Sequence, residues 1–196
     1  VSNLNFSGAG NLASNRAWAG SADVDTLSGI ENITGSSYRD YLVGSSTGGS
    51  VIDGGGGKDT LIGGAGNDSF IVNTHNTPDS IDGGAGTDTI TLKGLSGNYS
   101  LSTLQSDIST ISSIETIDLR GDGQSTALSL GVVDILGITG TNTITILADK
   151  QQGATAGDRL VLTGGATLDG GVSFDPTATQ TYNINSGAAT IIWQVA

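Results

Sequence analysis

The sequence predicts an all-β protein built as a parallel β-roll, a solenoid in which short strands alternate with tight turns. Three observations lead to this prediction. Glycine supplies 32 of the 196 residues, charged residues supply only 13%, and a nine-residue pattern recurs in the first half of the chain. Seventeen of the 19 acidic residues are aspartates. Because glycine and aspartate favour turns and are poor helix formers, the composition excludes a mainly helical protein.

The repeated pattern is G-G-x-G-x-D-x-U-x, where U is a large apolar residue. It fits residues 54–62, 63–71 and 83–91. Six turn residues followed by three strand residues make half a coil, so two repeats return the chain to the same edge of the roll. Weaker copies, which lack some of the glycines or the aspartate, occur at 20–27, 35–43, 44–53 and 73–82. We expect one inward apolar side chain per strand, namely Leu42, Ile52, Leu61, Phe70, Ile81 and Ile90.

The aspartates of the repeats recur every 19 or 20 residues. We expect Asp40, Asp59 and Asp79 to stack on one edge of the roll, and Asp68 and Asp88 on the other. Successive coils lie about 4.8 Å apart, and carboxylates about 5 Å apart repel by roughly 3 kcal/mol at an effective dielectric of 20. Such a ladder predicts cations between its rungs. Oxygen ligands and glycine turns favour Ca²⁺, whereas zinc prefers His or Cys, and the chain has one His and no Cys.

The predicted core is thin. Each buried apolar side chain contributes about 1.5 to 3 kcal/mol, while ordering nine residues costs at least about 1 kcal/mol per residue in backbone entropy. We therefore expect the repeats to be largely unfolded without calcium, and calcium binding to drive their folding.

The repeats and the flanking segment GIENITGSSYRDYL resemble the RTX (repeats-in-toxin) β-roll of secreted Gram-negative proteins. The resemblance covers about residues 20–92. It implies a right-handed roll in which Asp side chains and turn carbonyls hold calcium. Because Gly49 and the turn at 74–79 depart from the pattern, we expect fewer ions than rungs, about two to four. The ligand positions that the resemblance implies are Asp40, Gly54, Gly55, Gly57, Asp59, Gly63, Gly64, Gly66, Asp68, Asp79, Gly83, Gly84, Gly86 and Asp88.

Beyond residue 92 the glycine pattern fades and Ser, Thr and aliphatic residues take over. We predict two domains, the calcium-binding roll over 1–92 and a C-terminal β region over 93–196, which either continues the solenoid or forms a small β-sandwich. The motif SIETIDL at 113–119 echoes GIENITG at 29–35, so both halves are expected to share a structural unit. Short apolar bursts predict strands at 127–130, 134–138, 143–147 and 159–162, and a terminal hairpin turning at Ser186-Gly187 would cap the sheet edge.

Charge and hydropathy exclude some partners. The net charge of −12 without a basic run argues against nucleic acid. No apolar run reaches the roughly 18 residues that a membrane span needs. Residues 113–196 are similar to the C-terminal regions of type I secreted adhesins and surface-layer proteins. That resemblance implies an extracellular or cell-surface location and makes ATIIWQVA, residues 189–196, a candidate export signal.

We interpret the chain as a non-enzymatic, calcium-binding structural or adhesive module of a large secreted or cell-surface bacterial protein. It is expected to fold on export, when calcium binds, and to make cell-surface or self-assembly contacts. The alternative is the non-catalytic C-terminal RTX region of a secreted protease, lipase or epimerase, because RTX blocks accompany both classes of protein.

Other residues permit functional readings that have simpler explanations. His75 and Asp79 could belong to a Ser-His-Asp triad, but His75 is expected in an irregular turn between repeats, which favours a solvated loop histidine. Arg120-Gly121-Asp122 could be read by an adhesion receptor, or is simply a turn. Asp118 and Asp122 could hold another calcium ion. The alternating threonines at 141, 143 and 145 could form a ligand face, and the aromatic residues Trp18, Tyr38, Tyr41 and Trp193 could stack on sugars or pack in the core.

Overall fold

The structure is a computed structural model that describes residues 3–5, 12–13, 16–19, 23–26, 31–56, 58–73, 80–93, 97–100, 110–120, 126–149, 158–171, 176–185 and 187–195. Strands dominate these residues. The first part contains β1 (Asn3–Asn5), β2 (Leu12–Ala13), β3 (Arg16–Ala19) and β4 (Asp23–Thr26). The repeats contain β5 (Asn32–Thr34), β6 (Tyr41–Val43), β7 (Val51–Asp53), β8 (Thr60–Ala65), β9 (Ser69–Asn73), β10 (Ser80–Ala85) and β11 (Thr89–Lys93).

The described residues of the second half contain eight more strands and one α-helix. They are β12 (Gly97–Ser100), β13 (Thr110–Ser112), β14 (Thr116–Asp118), β15 (Thr126–Leu130), α1 (Val132–Thr139), β16 (Thr143–Ala148), β17 (Arg159–Leu162), β18 (Gln180–Ile184) and β19 (Ala189–Val195). Within the described ranges, α1 is far shorter than a membrane-spanning helix would have to be.

Consecutive strands of the repeats alternate between two parallel sheets, as a β-roll requires. The larger sheet has the order β1-β5-β7-β9-β11-β14-β16-β19-β18, and the smaller has the order β13-β10-β8-β6. All pairs in these sheets are parallel except β18 with β19. The prediction of an all-β, parallel solenoid is confirmed.

The register of the two sheets stacks the predicted inward residues. In the smaller sheet Leu42 pairs with Leu61, and Leu61 with Ile81. In the larger sheet Ile52 pairs with Phe70, and Phe70 with Ile90. All six side chains are buried. The 44–53 copy is one residue longer than the nine-residue period. The extra residue lies in the turn before β7, so the stacking of the inward side chains is not disturbed.

The larger sheet continues past the repeats. β11 pairs with β14, β14 with β16, and β16 with β19, all in parallel. β16 buries Ile144, Ile146 and Ala148, three inward side chains where most repeat strands bury one. The larger sheet thus crosses the boundary drawn at residue 92, and the division into two domains stays a prediction.

The predicted terminal hairpin is present. β18 and β19 pair in antiparallel fashion, with Ile184 opposite Ala189, and Ser186 of the predicted turn lies outside the described residues. Trp193 of β19 is fully buried, and its indole N–H donates to the carbonyl oxygen of Pro176 at 3.4 Å. The hairpin therefore packs onto the core at the last edge of the larger sheet.

Two predicted elements were wrong. The burst at 134–138 is not a strand but lies in α1, which buries Ile135, Ile138 and Thr139. These residues follow helical spacing, and Gly140 ends the helix with φ of 65°; a run of five residues is too short for its periodicity to separate strand from helix. The weak copy at 20–27 contains β4, which pairs antiparallel with β3 rather than joining the roll.

Candidate calcium centre

The turns of the repeats lie at the two edges between the facing sheets. The turns 35–40 and 54–59 lead from the larger sheet to the smaller one, and we call this side the first edge. The turns 44–50, 63–68 and 83–88 lead back, and we call this side the second edge. Each turn ends at the predicted acidic position or, in one turn, at Ser50, directly before a strand that places the next residue but one in the core.

Carboxylates and backbone amides form a continuous ladder along the second edge. The amide of Ser50 donates to Oδ1 of Asp68 at 2.6 Å, and the amide of Asp68 donates to Oδ1 of Asp88 at 2.8 Å. The amide of Asp88 then donates to Oε2 of Glu115 at 2.8 Å. Each rung is therefore linked to the next by a hydrogen bond to one oxygen of a carboxylate.

The second oxygen of two of these carboxylates is left without a donor. Asp68 is 2% exposed and Asp88 is fully buried, and Oδ2 of each has no hydrogen-bond partner. A buried acceptor without a partner costs about 1 to 3 kcal/mol, and more when the group is charged. These two oxygens are compensated only when a positively charged group or ion binds to them.

The electrostatics of the ladder reflect this lack of compensation. Burial, and then the charge of Asp88, raise the pKa of Asp68 to about 6 against the hydrogen bond from Ser50, which lowers it. Burial likewise raises the pKa of Asp88, with smaller contributions from the charges of Glu115 and Asp82. Without a cation the carboxyl groups of Asp68 and Asp88 therefore keep their protons to higher pH in the folded ladder than in the unfolded chain.

Glycines leave room for oxygen atoms to converge beside the ladder. A Cβ atom on Gly63 would overlap both Oδ2 of Asp68 and the carbonyl oxygen of Gly83 in the next coil. Gly66 and Gly86 have φ of 98° and 141°, conformations that other residues adopt only with strain. The pattern thus brings carboxylate and carbonyl oxygens together, which is the donor set that Ca²⁺ takes.

The first edge has the same ladder with a different first rung. The amide of Asp40 donates to Oδ1 of Asp59 at 2.8 Å, and Asp59 is buried. The amide and hydroxyl of Ser36 both donate to Oδ2 of Asp40, at 2.6 and 2.8 Å. Protein donors therefore already compensate Asp40, in contrast to Asp68 and Asp88.

The structure brings most of the predicted ligand residues to the expected edges, and two lie outside the described residues. Gly57 and Asp79 are those two. Gly54, Gly55 and Asp59 line the first edge with Asp40, whereas the turns 63–68 and 83–88 line the second edge. In the described part of the chain no three His, Cys, Asp or Glu side chains form a metal-binding group by themselves. Backbone carbonyls would have to complete any calcium site, as the glycine turns allow.

Sequence reasoning missed Glu115 as a member of the ladder. Glu115 precedes Thr116, which pairs with Thr89, so Glu115 lies next to Asp88 in the sheet. The similarity between SIETIDL and GIENITG could have indicated the position of Glu115. In both segments a glutamate, Glu31 or Glu115, stands two residues before an inward isoleucine of the larger sheet.

The simpler readings of several other residues gain support. Arg120 forms a two-pronged ion pair with both oxygens of Asp118 at 2.9 Å, so a cation of the protein already compensates the Asp118 carboxylate. Trp193 is a core residue, whereas Tyr38 and Tyr41 are exposed. His75, Asp79 and Asp122 lie outside the described residues, as does the side chain of Trp18.

Comparison with protein families agrees with the geometry. The family model of the RTX calcium-binding nonapeptide repeat matches four copies, over residues 34–70 and 77–98. Comparisons with curated proteins and with solved structures gave no significant match. The chain carries RTX repeats, which bind calcium and occur in secreted bacterial proteins. The repeat module is a structural element without catalytic activity of its own.

Proposed function

We propose that this RTX repeat protein is a calcium-stabilised structural or adhesive module of a large bacterial surface protein, folding where calcium is abundant. The observation that carries the proposal is the pair of buried, unpartnered oxygens on Asp68 and Asp88. They lie in a ladder that the fold cannot compensate with its own donors.

We propose as calcium ligands the carboxylates of Asp59, Asp68 and Asp88 together with carbonyl groups of the glycine turns. When bound, calcium supplies the positive charge that the stacked carboxylates need. The chain itself supplies the spacing: parallel strands hold successive rungs one coil apart, and glycines at Gly63 and Gly83 leave space for the oxygens to converge. Asp40 differs, because Ser36 already donates twice to its second oxygen.

Conditional folding suits a secreted protein. Extracellular calcium modules bind with dissociation constants of about 10⁻⁴ to 10⁻³ M, far above the free calcium of cytosol. The repeats would therefore stay loose during export and become ordered outside the cell. The same physics would serve the C-terminal RTX region of a secreted enzyme. We favour the surface module because the larger sheet runs on through β14, β16 and β19 and gives a continuous, elongated scaffold.

A calcium titration of the full chain tests the proposal. Far-ultraviolet circular dichroism is recorded in chelator and then at increasing Ca²⁺, with Mg²⁺ as the ion control. We expect the β signal to rise cooperatively with Ca²⁺ and not with Mg²⁺. In the double variant Asp68→Asn/Asp88→Asn the midpoint should move at least about tenfold to higher calcium.

Asp118→Asn is the matched control, because it removes a partly buried carboxylate that pairs with Arg120. Its calcium midpoint should equal that of the wild type. A full β signal in chelator, or the same midpoint in the double variant, would contradict the proposal.

A further inference from the structure

The acid ladder of the second edge continues beyond the last nonapeptide repeat. The match to the repeat family ends at residue 98, yet Glu115 provides one more rung, 27 residues after Asp88. Oε2 of Glu115 accepts the Asp88 amide at 2.8 Å, as Oδ1 of Asp88 accepts the Asp68 amide at 2.8 Å. Glu115 therefore takes the ladder position that an aspartate of a further repeat would take.

Ser113 takes the place of a repeat glycine in the backbone. At Gly63 the space that a Cβ would fill is bounded by Oδ2 of Asp68 and the carbonyl oxygen of Gly83. At Gly83 the same space is bounded by Oδ2 of Asp88, 2.5 Å from the Cβ position, and by the carbonyl oxygen of Ser113. Asp82 pairs with Ser112, so Ser113 follows in register with Gly83, and its carbonyl oxygen lies beside Gly83 as that of Gly83 lies beside Gly63. The turn 113–115 thus reproduces the oxygen pattern of a glycine turn without its sequence.

Acceptor oxygens gather at this end of the ladder, and one of them has no hydrogen-bond donor. Asp88 is fully buried, and its Oδ2 has no hydrogen-bond donor. Its near neighbour, the Ser113 carbonyl oxygen, is also an acceptor, and Glu115 adds a second carboxylate. Acceptors that converge in a buried place need a cation, and a set made only of oxygens suits calcium better than zinc or copper.

We propose that Asp88, Glu115 and the Ser113 carbonyl group form a further calcium site at the carboxyl end of the ladder, between the last nonapeptide repeat and the segment that follows it. The proposal rests on the proposed function, since it needs repeats that fold with calcium. The site would join the last repeat to the segment that follows β13, so calcium would stabilise the junction with the second half of the protein.

Native mass spectrometry and isothermal titration calorimetry of the full chain with Ca²⁺ alone test the proposal. The variant Glu115→Gln removes the charge but keeps an amide oxygen that can accept from the Asp88 amide. The matched control is Asp118→Asn, which removes a nearby carboxylate that pairs with Arg120 and is not part of the ladder.

We expect Glu115→Gln to bind one calcium ion fewer than the wild type, or to weaken one site at least about tenfold, while Asp118→Asn binds as the wild type does. Equal stoichiometry and affinity in Glu115→Gln would overturn the site and leave the proposed function standing. A wild-type chain that binds no calcium would overturn both.

Crystals of the wild type grown with Tb³⁺ provide a test that needs no variant. The anomalous difference map should show a peak at coordination distance, about 2.3 to 2.6 Å, from Oδ2 of Asp88, the Ser113 carbonyl oxygen and Glu115. Peaks at the repeat turns without a peak at this position would overturn the proposal while supporting calcium binding by the repeats.

Discussion

One column of the larger sheet changes character along the solenoid. In the repeats and the coil after them it carries Asp68, Asp88 and Glu115. In the next two coils the same column carries Ile144 and Ile191, as the pairing of Ser69, Thr89, Thr116, Thr145 and Ile192 fixes. The two aspartates and the two isoleucines are all buried, at 2% exposure or less.

The difference teaches how one backbone can be stabilised in two ways. A buried isoleucine contributes about 1.5 to 3 kcal/mol without assistance. A buried carboxylate costs free energy until a cation or donor meets it. The repeat region, residues 31–93, should therefore depend on calcium, whereas the C-terminal region, residues 126–195, should hold its structure without it.

Calcium removal should give the largest contrast between the regions. In hydrogen–deuterium exchange with excess chelator, we expect the amides of β8 to β11 to lose most of their protection, because the acid ladder is then uncompensated. The amides of β16 and β19 should stay protected. Equal loss of protection in both regions, or in neither, would break the comparison.

A cavity in the C-terminal region should act independently of calcium. Ile191→Ala should lower the free energy of unfolding by about 2 to 5 kcal/mol, to a similar degree with calcium and with chelator. Urea titration followed by tryptophan fluorescence measures the change, since Trp193 lies on the same strand. Val133→Ala, at an 82% exposed position, should change it by less than about 0.5 kcal/mol. A loss confined to calcium-free protein would contradict this prediction.

A larger side chain beside the ladder should destabilise the protein less than the Ile191→Ala cavity does. Its effect should depend on calcium. Gly63→Ala places a Cβ against Oδ2 of Asp68 and the Gly83 carbonyl oxygen. We expect about 1 to 3 kcal/mol of destabilisation in saturating calcium, together with weaker calcium binding. Gly48→Ala is the matched control, because a Cβ there meets nothing within 4 Å. Equal urea midpoints for the two variants would refute the role of Gly63.

Acid should shift the calcium requirement by the smallest amount. The pKa of Asp68 is raised to about 6 from 3.8, chiefly by burial. The calcium-free fold therefore binds more protons than the unfolded chain, and it gains stability as pH falls from about 7 toward 4. Calcium that binds to the folded ladder must displace that proton, so the calcium dissociation constant of the folded repeats should rise about tenfold between pH 7 and pH 5. Between pH 7 and 8 it should be nearly constant; a dissociation constant that falls with acid would contradict the assignment.

The predictable part of this molecule is the part in which spacing alone decides the contacts. Three strand residues after six turn residues leave one inward position, so Leu61, Phe70 and Ile90 could be placed from sequence. The terminal hairpin followed from its turn residues in the same way. The ladder spacing of Asp68 and Asp88 followed from the coil length.

The rest of the structure depends on contacts that the nine-residue period does not determine. Ile135 and Ile138 lie in a helix because tertiary packing selects between two conformations that a short apolar run permits equally. The two donors of Ser36 that compensate Asp40 arise from a serine at a glycine position. Glu115 joins the ladder across 27 residues, since the sheet register and not the repeat length brings it there.

The direction of β18 sets a limit on growth of the stack. Each new coil of the larger sheet aligns on the strand before it, and nearly all of the described pairs run the same way. β18 is the edge strand of the larger sheet and runs opposite to β19. A further coil that runs in the direction of the others could therefore not pair with it in parallel. Fibre-like extension through that end would have to use a different strand pairing, so the hairpin stops the parallel stack at this edge.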